Sequence, residues 1–374
     1  MAIDIDEDKF LSNLKTLISF KTISRKNPEE FEKLYNWVRE FFDGADADFI
    51  DFEKNGVRSI LIKPKSSLKP KVLGLGHVDV VPASDDFFLM REKGGWIFGR
   101  GVSDMKTQSL IMIYALKKVI ESEGRSDFWV ALTGDEEVGG FDGAKVLIDW
   151  LEKEDLLPEI AFIPDGGSDF SYVEKEKGVA FFKAISCGKS CHGSRPWLGE
   201  NSIVKMMNFA SELMKVFPNP TSLEDWRNSL SITQISGGEA MNQIPDFCEA
   251  KFDVRITESE SPESFLGKVK EVSSKYDIEI SEIATGPALF SSSDDQISKK
   301  FIQIIKNVTG KSEVKIVHET GASDGRFLMG KNVKILMTEQ NIEHSAHTQD
   351  EKCEIESIWK LYEVLESLLE MAEN

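Results

Sequence analysis

Four separate apolar segments of this chain run directly into histidine or acidic residues, and this repeated pattern constrains the fold more than any other feature. Each segment has the length and composition of a buried β-strand. The polar residues that follow them, in chain order, are His77 with Asp79, Glu136 with Glu137, Asp165, and His344 or His347. In open α/β sheets the ligand crevice lies beyond the carboxyl ends of the strands. We therefore expect an α/β protein whose sheet gathers these side chains at one edge.

The first segment ends in the motif G-H-V-D-V-V-P, which starts at Gly76. Side chains two residues apart on a strand point to the same side, so His77 and Asp79 can face one space. A carboxylate beside a histidine can accept its second ring N–H and fix the tautomer, which suits a metal ligand. A strand-end histidine that is only salt-bridged to its neighbour would give the same local pattern.

Asp104 follows a tightly turned loop. Residues 96–106 read W-I-F-G-R-G-V-S-D-M-K, with a glycine on each side of Arg100. The apolar segment 110–120 predicts a buried helix, so Asp104 should lie at or just before a helix N-terminus. An N-cap role would account for Asp104 but not for the two glycines.

Three consecutive acids, Asp135, Glu136 and Glu137, follow the second apolar segment and stand between glycines. Adjacent carboxylates at the end of a buried strand repel one another, so they favour a bound cation. A solvated acidic turn is the alternative, because runs of charge usually face water.

The overall charge narrows the possible partners. The chain has 45 basic and 64 acidic residues, a formal net charge of −19, which argues against nucleic acid and anionic membranes as partners. No apolar run reaches 18 residues, and the acidic start at Asp4, Asp6, Glu7 and Asp8 is unlike a signal peptide.

The four cysteines are too few for a disulfide scaffold and fit ordinary thiols in a reducing compartment. We expect a cytoplasmic protein.

Residues 179–284 predict a separate domain. The pattern there indicates a strand at 179–187, a helix at 201–217, strands at 230–236 and 248–256, a helix at 262–274 and a strand at 278–283. This β-α-β-β-α-β order is that of a ferredoxin-like unit. We expect it to be inserted into a larger, discontinuous domain formed by 1–178 and 285–374.

The collected candidates supply nitrogen and oxygen ligands but no thiolates, which suits zinc, cobalt or manganese. One carboxylate that bridges two metal ions would give a two-metal site, which activates water and polarises a carbonyl. A second carboxylate is then needed to move protons. The adjacent Glu136 and Glu137 can divide these roles, one turned to the metal and one to the water.

Five motifs together resemble one known family, the co-catalytic zinc exopeptidases and deacylases. The family includes acetylornithine deacetylase, succinyl-diaminopimelate desuccinylase, carboxypeptidase G, peptidase T and carnosinase. The motifs are G-H-V-D-V-V-P at Gly76, G-R-G-V-S-D-M-K at Gly99, D-E-E-V-G-G at Asp135, C-H-G-S-R-P at Cys191 and S-D-G-R-F at Ser323. The resemblance extends over essentially the whole chain and implies a catalytic domain with a mixed sheet flanked by helices, carrying an inserted lid and dimerisation domain.

The resemblance also implies roles for the residues of the larger domain. Glu136 would be the general base and acid, and Asp79 would orient His77. The last ligand in this family is a histidine followed four residues later by glutamate, which His347 satisfies with Glu351 and His344 does not. The implied ligands of the two metal ions are His77, Asp104, Glu137, Asp165 and His347, with Asp104 shared.

In the inserted domain, His192 matches the family histidine that stabilises the oxyanion, in its own or a partner subunit's site. Asn242 and Arg255 match positions that hold the substrate's carboxylate, and the Gly321–Arg326 loop, with Gly321 and Ser323, resembles a substrate-lining loop. A homodimer through the inserted domain is implied as well.

The substrate class has two opposing indications. In this family the position of Asp165 tends to be aspartate in aminopeptidases and dipeptidases and glutamate in deacylases, which favours a peptidase. The small inserted domain and the S-D-G-R-F loop are more similar to the desuccinylase and deacetylase branch. The expected substrate is a small peptide or, alternatively, an N-acyl amino acid. A non-catalytic metal-binding relative is the rival from another class, whereas a structural calcium protein lacks its D-x-[DN]-x-[DN]-G loop.

Overall fold

The structure is a computed structural model that describes residues 5–122 and 127–373 of the 374-residue chain. Asp4, part of the acidic start of the sequence, lies outside the described residues. The chain forms two compact units. The first contains the described residues up to Glu174, Ser291–Glu319 and the chain from Ser323 onward, and the second contains Lys175–Phe290 with Thr320–Ala322.

Eight α-helices lie within the described ranges, together with 3-10 helices at Asp85–Phe88, Glu136–Val138, Pro196–Leu198 and Asp324–Leu328. The α-helices are α1 (Glu7–Ser19), α2 (Pro28–Phe41), α3 (Lys106–Glu121), α4 (Ala144–Lys153), α5 (Ser202–Val216), α6 (Pro262–Ser274), α7 (Gln296–Thr309) and α8 (Ile355–Glu373). The predicted helices at 201–217 and 262–274 correspond to α5 and α6. The helix predicted at 110–120 begins earlier, at Lys106, because its first turn is polar yet buried.

The strands of the larger unit and its boundary are β1 (Ala47–Lys54), β2 (Val57–Pro64), β3 (Val72–His77), β4 (Arg91–Lys93), β5 (Trp96–Phe98), β6 (Phe128–Thr133), β7 (Ile160–Ile163) and β8 (Tyr172–Glu176). Next in the chain are β9 (Gly178–Cys187), β10 (Cys191–His192), β11 (Ser229–Gly237), β12 (Gln243–Ile244), β13 (Phe247–Ile256) and β14 (Ile278–Gly286). The last are β15 (Leu289–Phe290), β16 (Ile316–Glu319), β17 (Lys334–Met337) and β18 (Lys352–Glu354). Several strands absent from the sequence-based prediction have only two to five residues, too few for a periodic pattern.

The main sheet of the first unit places the four predicted strands side by side. Its order is β1-β2-β6-β3-β7-β17, with β1, β2 and β6 antiparallel in turn. The pairs β6–β3, β3–β7 and β7–β17 are parallel. Since parallel strands end at the same edge, the residues that follow all four strands begin from one edge of the sheet.

Helix α3 packs closely against β3, and the glycines of β3 permit this approach. A Cβ atom at Gly74 or Gly76 would lie 2.7 Å from the side chain of Met112. Ser109 of the same helix donates a hydrogen bond from Oγ to the carbonyl oxygen of His77 at 3.0 Å. The helix that follows Asp104 is therefore fixed to the strand that ends in His77.

The second unit has an antiparallel four-stranded sheet in the order β11-β13-β9-β14, with α5 and α6 packed against it. This is the strand order of a ferredoxin-like fold, as the pattern of the sequence predicts. Phe182 and Phe252 stack in its core with ring centroids 4.5 Å apart.

Among the helices of the described residues, none combines the length and apolar character that crossing a membrane requires. Cys187, Cys191, Cys248 and Cys353 are all unpaired thiols.

Candidate active site

His77 is the last residue of β3, and Nδ1 of its ring contacts Asp79. Nδ1 of His77 lies 3.1 Å from the carbonyl oxygen and 3.4 Å from Oδ1 of Asp79. Both side chains are buried. Because Nδ1 is engaged in this way, Nε2 is the ring nitrogen that can face a ligand.

Asp79 also holds the acidic turn that follows β6. Its Oδ1 accepts a hydrogen bond from the backbone N–H of Glu136 at 3.2 Å, and its Oδ2 accepts one from the N–H of Glu137 at 3.1 Å. One buried carboxylate thus orients the histidine and fixes the backbone of both glutamates. The sequence-based role of Asp79 covered only the histidine.

Asp104 lies between two histidines that are far apart in the sequence. Its Oδ1 is 2.8 Å from Nε2 of His77, and its Oδ2 is 2.9 Å from Nε2 of His347. The N-cap of α3 is Met105, so the N-cap role considered for Asp104 is not the one it has in the structure. Its carboxylate is instead arranged as a bridge between two ligand positions.

Glu137 and His347 complete the second of these positions. Nε2 of His347 lies 3.0 Å from Oε2 of Glu137, and Oε1 of Glu137 accepts the N–H of Val81 at 3.1 Å. His347 is half exposed and has a left-handed backbone with φ +64°.

Two groups of ligand atoms therefore converge in the first unit. One consists of His77, Asp104 and Asp165, and the other of Asp104, Glu137 and His347. Within each group the ligand atoms lie within 4.8 Å of one another. His344, the alternative to His347, belongs to neither group.

A buried ion pair that sequence reasoning did not identify fixes the loop before Asp104. Arg100 pairs with Glu351, and the other carboxylate oxygen of Glu351 accepts hydrogen bonds from the N–H of Gly101 at 2.8 Å and Oγ of Ser103 at 3.0 Å. Glu351 is the glutamate four residues after His347, so one short segment carries a candidate ligand and holds the loop before Asp104. The glycines around Arg100 were the signal that this loop was unusual.

Glu339 supports the turn after Asp165 in a similar way, and no pattern in the sequence indicated this contact. Its buried carboxyl group accepts hydrogen bonds from the N–H of Gly166 and from Nε2 of Gln108, the latter at 3.4 Å. The carbonyl oxygen of Glu339 accepts the N–H of Phe170 at 2.9 Å. Glu339 therefore connects the turn after Asp165 to the first turns of α3.

The S-D-G-R-F segment forms a buried support for the acidic turn. Asp324 accepts a hydrogen bond from Oγ1 of Thr133 at 2.8 Å, and Arg326 donates to the carbonyl oxygen of Gly139 at 2.5 Å. Ser323 caps this short helix by accepting the N–H of Gly325 at 3.3 Å. Gly321 is assigned to the second unit and has open space where a Cβ would lie.

The carboxylates strongly favour positive charge at the two histidines. Burial lowers the pKa of His77, but Asp104 and Asp79 outweigh it and raise that pKa well above its usual value. Hydrogen bonds to Asp104 and Glu137 raise the pKa of His347 to about 10. Burial raises the pKa of Asp104, yet both histidines lower it below the usual range. A site that holds protons this firmly attracts cations.

The carboxyl group of Glu136 differs from that of Asp104, because its pKa is raised rather than lowered. Burial and the negative charges of Asp165, Asp324 and Asp104 raise its pKa well above the usual value, although His77 opposes the shift. A carboxyl group with a raised pKa is suited to accept and return a proton near neutral pH.

The predicted residues of the second unit lie in that unit's own sheet and loops. His192 pairs with Gln243 between β10 and β12, and the N–H of Gly193 donates to the carbonyl oxygen of Asn242 at 2.6 Å. His192 and Asn242 are therefore neighbours. Arg255, on β13, forms an ion pair with Asp253 at 3.0 Å.

Comparison with known proteins gives one family and one fold. The model of peptidase family M20/M25/M40 matches residues 74–371. A succinyl-diaminopimelate desuccinylase from Sulfurovum sp. (strain NBC37-1) is 26% identical over 370 residues, covering 95% of this chain and 97% of the relative. An M20 family metallo-carboxypeptidase from Sulfolobus solfataricus superposes with a TM-score of 0.78 at 18% identity, covering 98% of this chain and 99% of the other. Human carnosine dipeptidase 1 gives a TM-score of 0.71 at 17% identity, covering 100% and 98%.

Proposed function

The chain belongs to peptidase family M20/M25/M40, and from that premise we propose that it hydrolyses a peptide or N-acyl amide bond next to a free carboxylate. The observation that carries the proposal is Asp104, whose two carboxylate oxygens face two separate histidines. This is the arrangement that a shared ligand of two metal ions requires.

The donor set fits two divalent cations, and zinc suits it best. His77, Asp104 and Asp165 would hold one ion, and Asp104, Glu137 and His347 the other. When bound, the ions supply Lewis acidity, acidifying a water molecule and polarising the scissile carbonyl. Cobalt and manganese accept the same nitrogen and oxygen donors.

Glu136 is the proposed proton carrier. Its carboxylate accepts a proton from the attacking water and returns it to the nitrogen of the leaving amine. The raised pKa of Glu136 supports this exchange, because the group must hold the proton between the two steps. Asp79 assists by fixing the backbone N–H of Glu136 at 3.2 Å.

For the second unit we propose the roles that the family resemblance implies. His192 would stabilise the oxyanion, and Asn242 and Arg255 would bind the carboxylate of the substrate. Gly321 and Ser323 belong to the proposed substrate-lining loop. His192→Ala should lower kcat, and Arg255→Gln should mainly raise KM.

We propose a dipeptidase or aminopeptidase as the activity. Asp165 supports it, since its carboxylate joins His77 and Asp104, and aspartate at this position is typical of the peptidase branch. A deacylase is the second candidate, supported by the 26% identity to a succinyl-diaminopimelate desuccinylase over 95% of this chain.

A paired substrate panel tests both candidates. Metal-stripped protein, with and without added zinc, cobalt or manganese, is given unblocked dipeptides and N-acetyl and N-succinyl amino acids. Metal-dependent turnover of dipeptides supports the peptidase, and turnover of the acylated set alone supports the deacylase. No turnover of either set with both metal sites filled would contradict hydrolysis and favour a non-catalytic relative.

We propose a homodimer formed through the second unit. Strand β11 is an edge strand, and Ile235 on it is 54% exposed. An unpaired edge with apolar side chains favours pairing with the same edge of a second copy. Sedimentation should show Ile235→Lys as monomer. Ile283→Lys, which changes an equally exposed residue on the opposite edge strand β14, should remain dimeric.

We also propose a cytoplasmic location. The four unpaired thiols, two of them at least partly exposed, are compatible with a reducing compartment.

A further inference from the structure

A cavity lies in the first unit next to Gly134, two residues before Glu136. It has a volume of about 240 Å³, and its lining includes Arg25, Phe31, Asn55, Arg58 and Gly134. Drug-sized ligands occupy pockets of roughly 300–1,000 Å³, so an occupant here must be small. None of these five residues has a role in the proposed hydrolysis.

The formal charges that line the cavity are all positive, although the chain has a net charge of −19. Arg58 lies 4.0 Å from its nearest carboxylate, Asp51, and its side chain is one-third exposed. Within the described residues its guanidinium donates no hydrogen bond. Arg58 therefore has free donors, in the planar arrangement that binds a carboxylate through two hydrogen bonds.

Two of the lining residues are held in place by Asp142. It accepts hydrogen bonds from Arg25 at 2.8 Å and from Nδ2 of Asn55 at 3.1 Å. Arg25 has a left-handed backbone with φ +61°, which is unfavourable for a residue other than glycine or asparagine. The pairing with Asp142 holds Arg25 in this unusual conformation.

Part of the lining is apolar and consists of Pro28, Phe31 and Val57. A fully hydrated ion gains nothing from such a surface, whereas a hydrocarbon or aromatic group is stabilised by leaving water. The combination of Arg58 with these apolar residues selects a carboxylate attached to a compact apolar body.

The cavity is physically connected to the Glu136 turn. Gly134 forms part of its wall, and Oγ of Ser24 holds the carbonyl oxygen of Gly134 at 2.9 Å. The N–H of Asp142 donates to Oδ2 of Asp135 at 2.8 Å. An occupant that moves Arg25 or Gly134 therefore acts on the two residues that precede Glu136.

We propose that this cavity is a binding site for small organic carboxylates with an apolar body, and that its occupancy changes the activity of the enzyme through the Gly134–Glu136 turn. The site is separate from the metal ligands. The binding part of the proposal does not depend on the proposed hydrolysis, whereas the effect on turnover does.

Binding of benzoate to the zinc-loaded protein, measured by isothermal titration calorimetry, tests the site. Arg58→Gln should weaken this binding about tenfold or more, since it removes the charged donors. Arg91→Gln is the matched control, because Arg91 is exposed and does not line the cavity. Benzyl alcohol, which lacks the carboxylate, and inorganic phosphate, which lacks the apolar body, should each bind more weakly than benzoate.

Carboxylates also bind metal ions, so the titration is repeated on metal-stripped protein. The part of the benzoate binding that depends on Arg58 should remain in the metal-stripped protein. Equal benzoate binding by wild type and Arg58→Gln, or loss of all binding with the metal, would overturn the site. In turnover assays benzoate should lower kcat in the wild type and have a smaller effect in Arg58→Gln. Equal inhibition of both would overturn the coupling.

Discussion

The carboxylate of Asp79 accepts a hydrogen bond from the backbone N–H of Glu137 at 3.1 Å. The same side chain lies 3.4 Å from the ring of His77. A single buried acid thus links the ligand at the end of one strand to the acidic turn at the end of its neighbour. This connection converts two sequence motifs into one rigid site.

Asp79→Asn should weaken metal binding by roughly ten- to a hundredfold, the usual effect of losing the partner of a ligating histidine. The amide NH2 of asparagine cannot accept a hydrogen bond, so one of the N–H groups of Glu136 and Glu137 loses its acceptor. Metal titration against a competing chelator measures the change. Asp86→Asn, at an exposed acid, is the control, and equal affinities in all three proteins would contradict the prediction.

Glu136→Gln should lower kcat by roughly a hundredfold or more, the scale of losing a general acid–base group. Glutamine keeps the shape of the side chain but cannot take up the proton. The metal content should stay at the wild-type value, because Glu136 is in neither ligand group. Wild-type turnover in this variant would show that another group carries the proton.

Glu351→Gln should destabilise the protein by about 3 kcal/mol or more, because breaking a buried ion pair leaves Arg100 uncompensated. Urea unfolding of the metal-free protein measures the free energy of unfolding without the contribution of bound metal. Glu343→Gln removes the carboxylate of an exposed pair with Lys352 and should cost less than about 1 kcal/mol. Similar losses of unfolding free energy in both variants would show that the buried pair stabilises the protein no more than the exposed pair does.

Glu339→Ala should selectively weaken the metal position that contains Asp165, because the turn after Asp165 loses the acceptor of the Gly166 N–H. Glu339→Gln keeps an oxygen acceptor and should restore most of the affinity. Cobalt absorption spectra and metal stoichiometry distinguish this positioning effect from a general loss of stability. Glu313→Ala, at an exposed site, is the control, and the prediction is wrong if all variants bind two ions alike.

Lys106 should make the stability of the protein rise with pH above neutrality. Its ammonium group is buried, and burial lowers its pKa from 10.5 to about 7. Between these two pH values the unfolded chain binds more protons than the folded one, so the free energy of unfolding increases as pH rises.

In Lys106→Met this contribution is absent. The stability of the variant relative to the wild type should therefore fall by roughly 3 kcal/mol between pH 7 and pH 9.5, at about 1.4 kcal/mol per full pKa unit. Urea unfolding at both pH values measures the difference. Lys26→Met, at an exposed lysine, should show no such change, and a pH-independent difference for Lys106→Met would refute the prediction.

The local sequence was informative because strand and helix patterns depend on neighbouring residues. The four apolar segments predicted strands that the structure contains, and the ferredoxin-like order of 179–284 is the order of the second sheet. The preference for His347 over His344 came from family resemblance, and His347 is the histidine in a ligand group. The acidic cluster at 135–137 indicated a cation, but the pattern alone did not separate Asp135 from its neighbours.

The supporting contacts could not be predicted in this way. Arg100 with Glu351, Glu339 with Gln108 and Asp324 with Thr133 are each separated by well over a hundred residues in the chain. Taken one at a time, these side chains are an ordinary arginine, three ordinary acids, an amide and a hydroxyl. Each becomes important because it is buried beside a partner, where an unpaired polar group would be costly.

The sequence by itself determined the identity of the strands and the polar residues at their ends, and it predicted a separate unit at 179–284. Only the tertiary structure decided that β6, β3, β7 and β17 are adjacent and parallel, and that Asp104 lies between His77 and His347. The physical reason is the range of the interactions. Apolar periodicity is a property of a few consecutive residues, whereas strand order and buried charge pairing are set by the packing of the whole core.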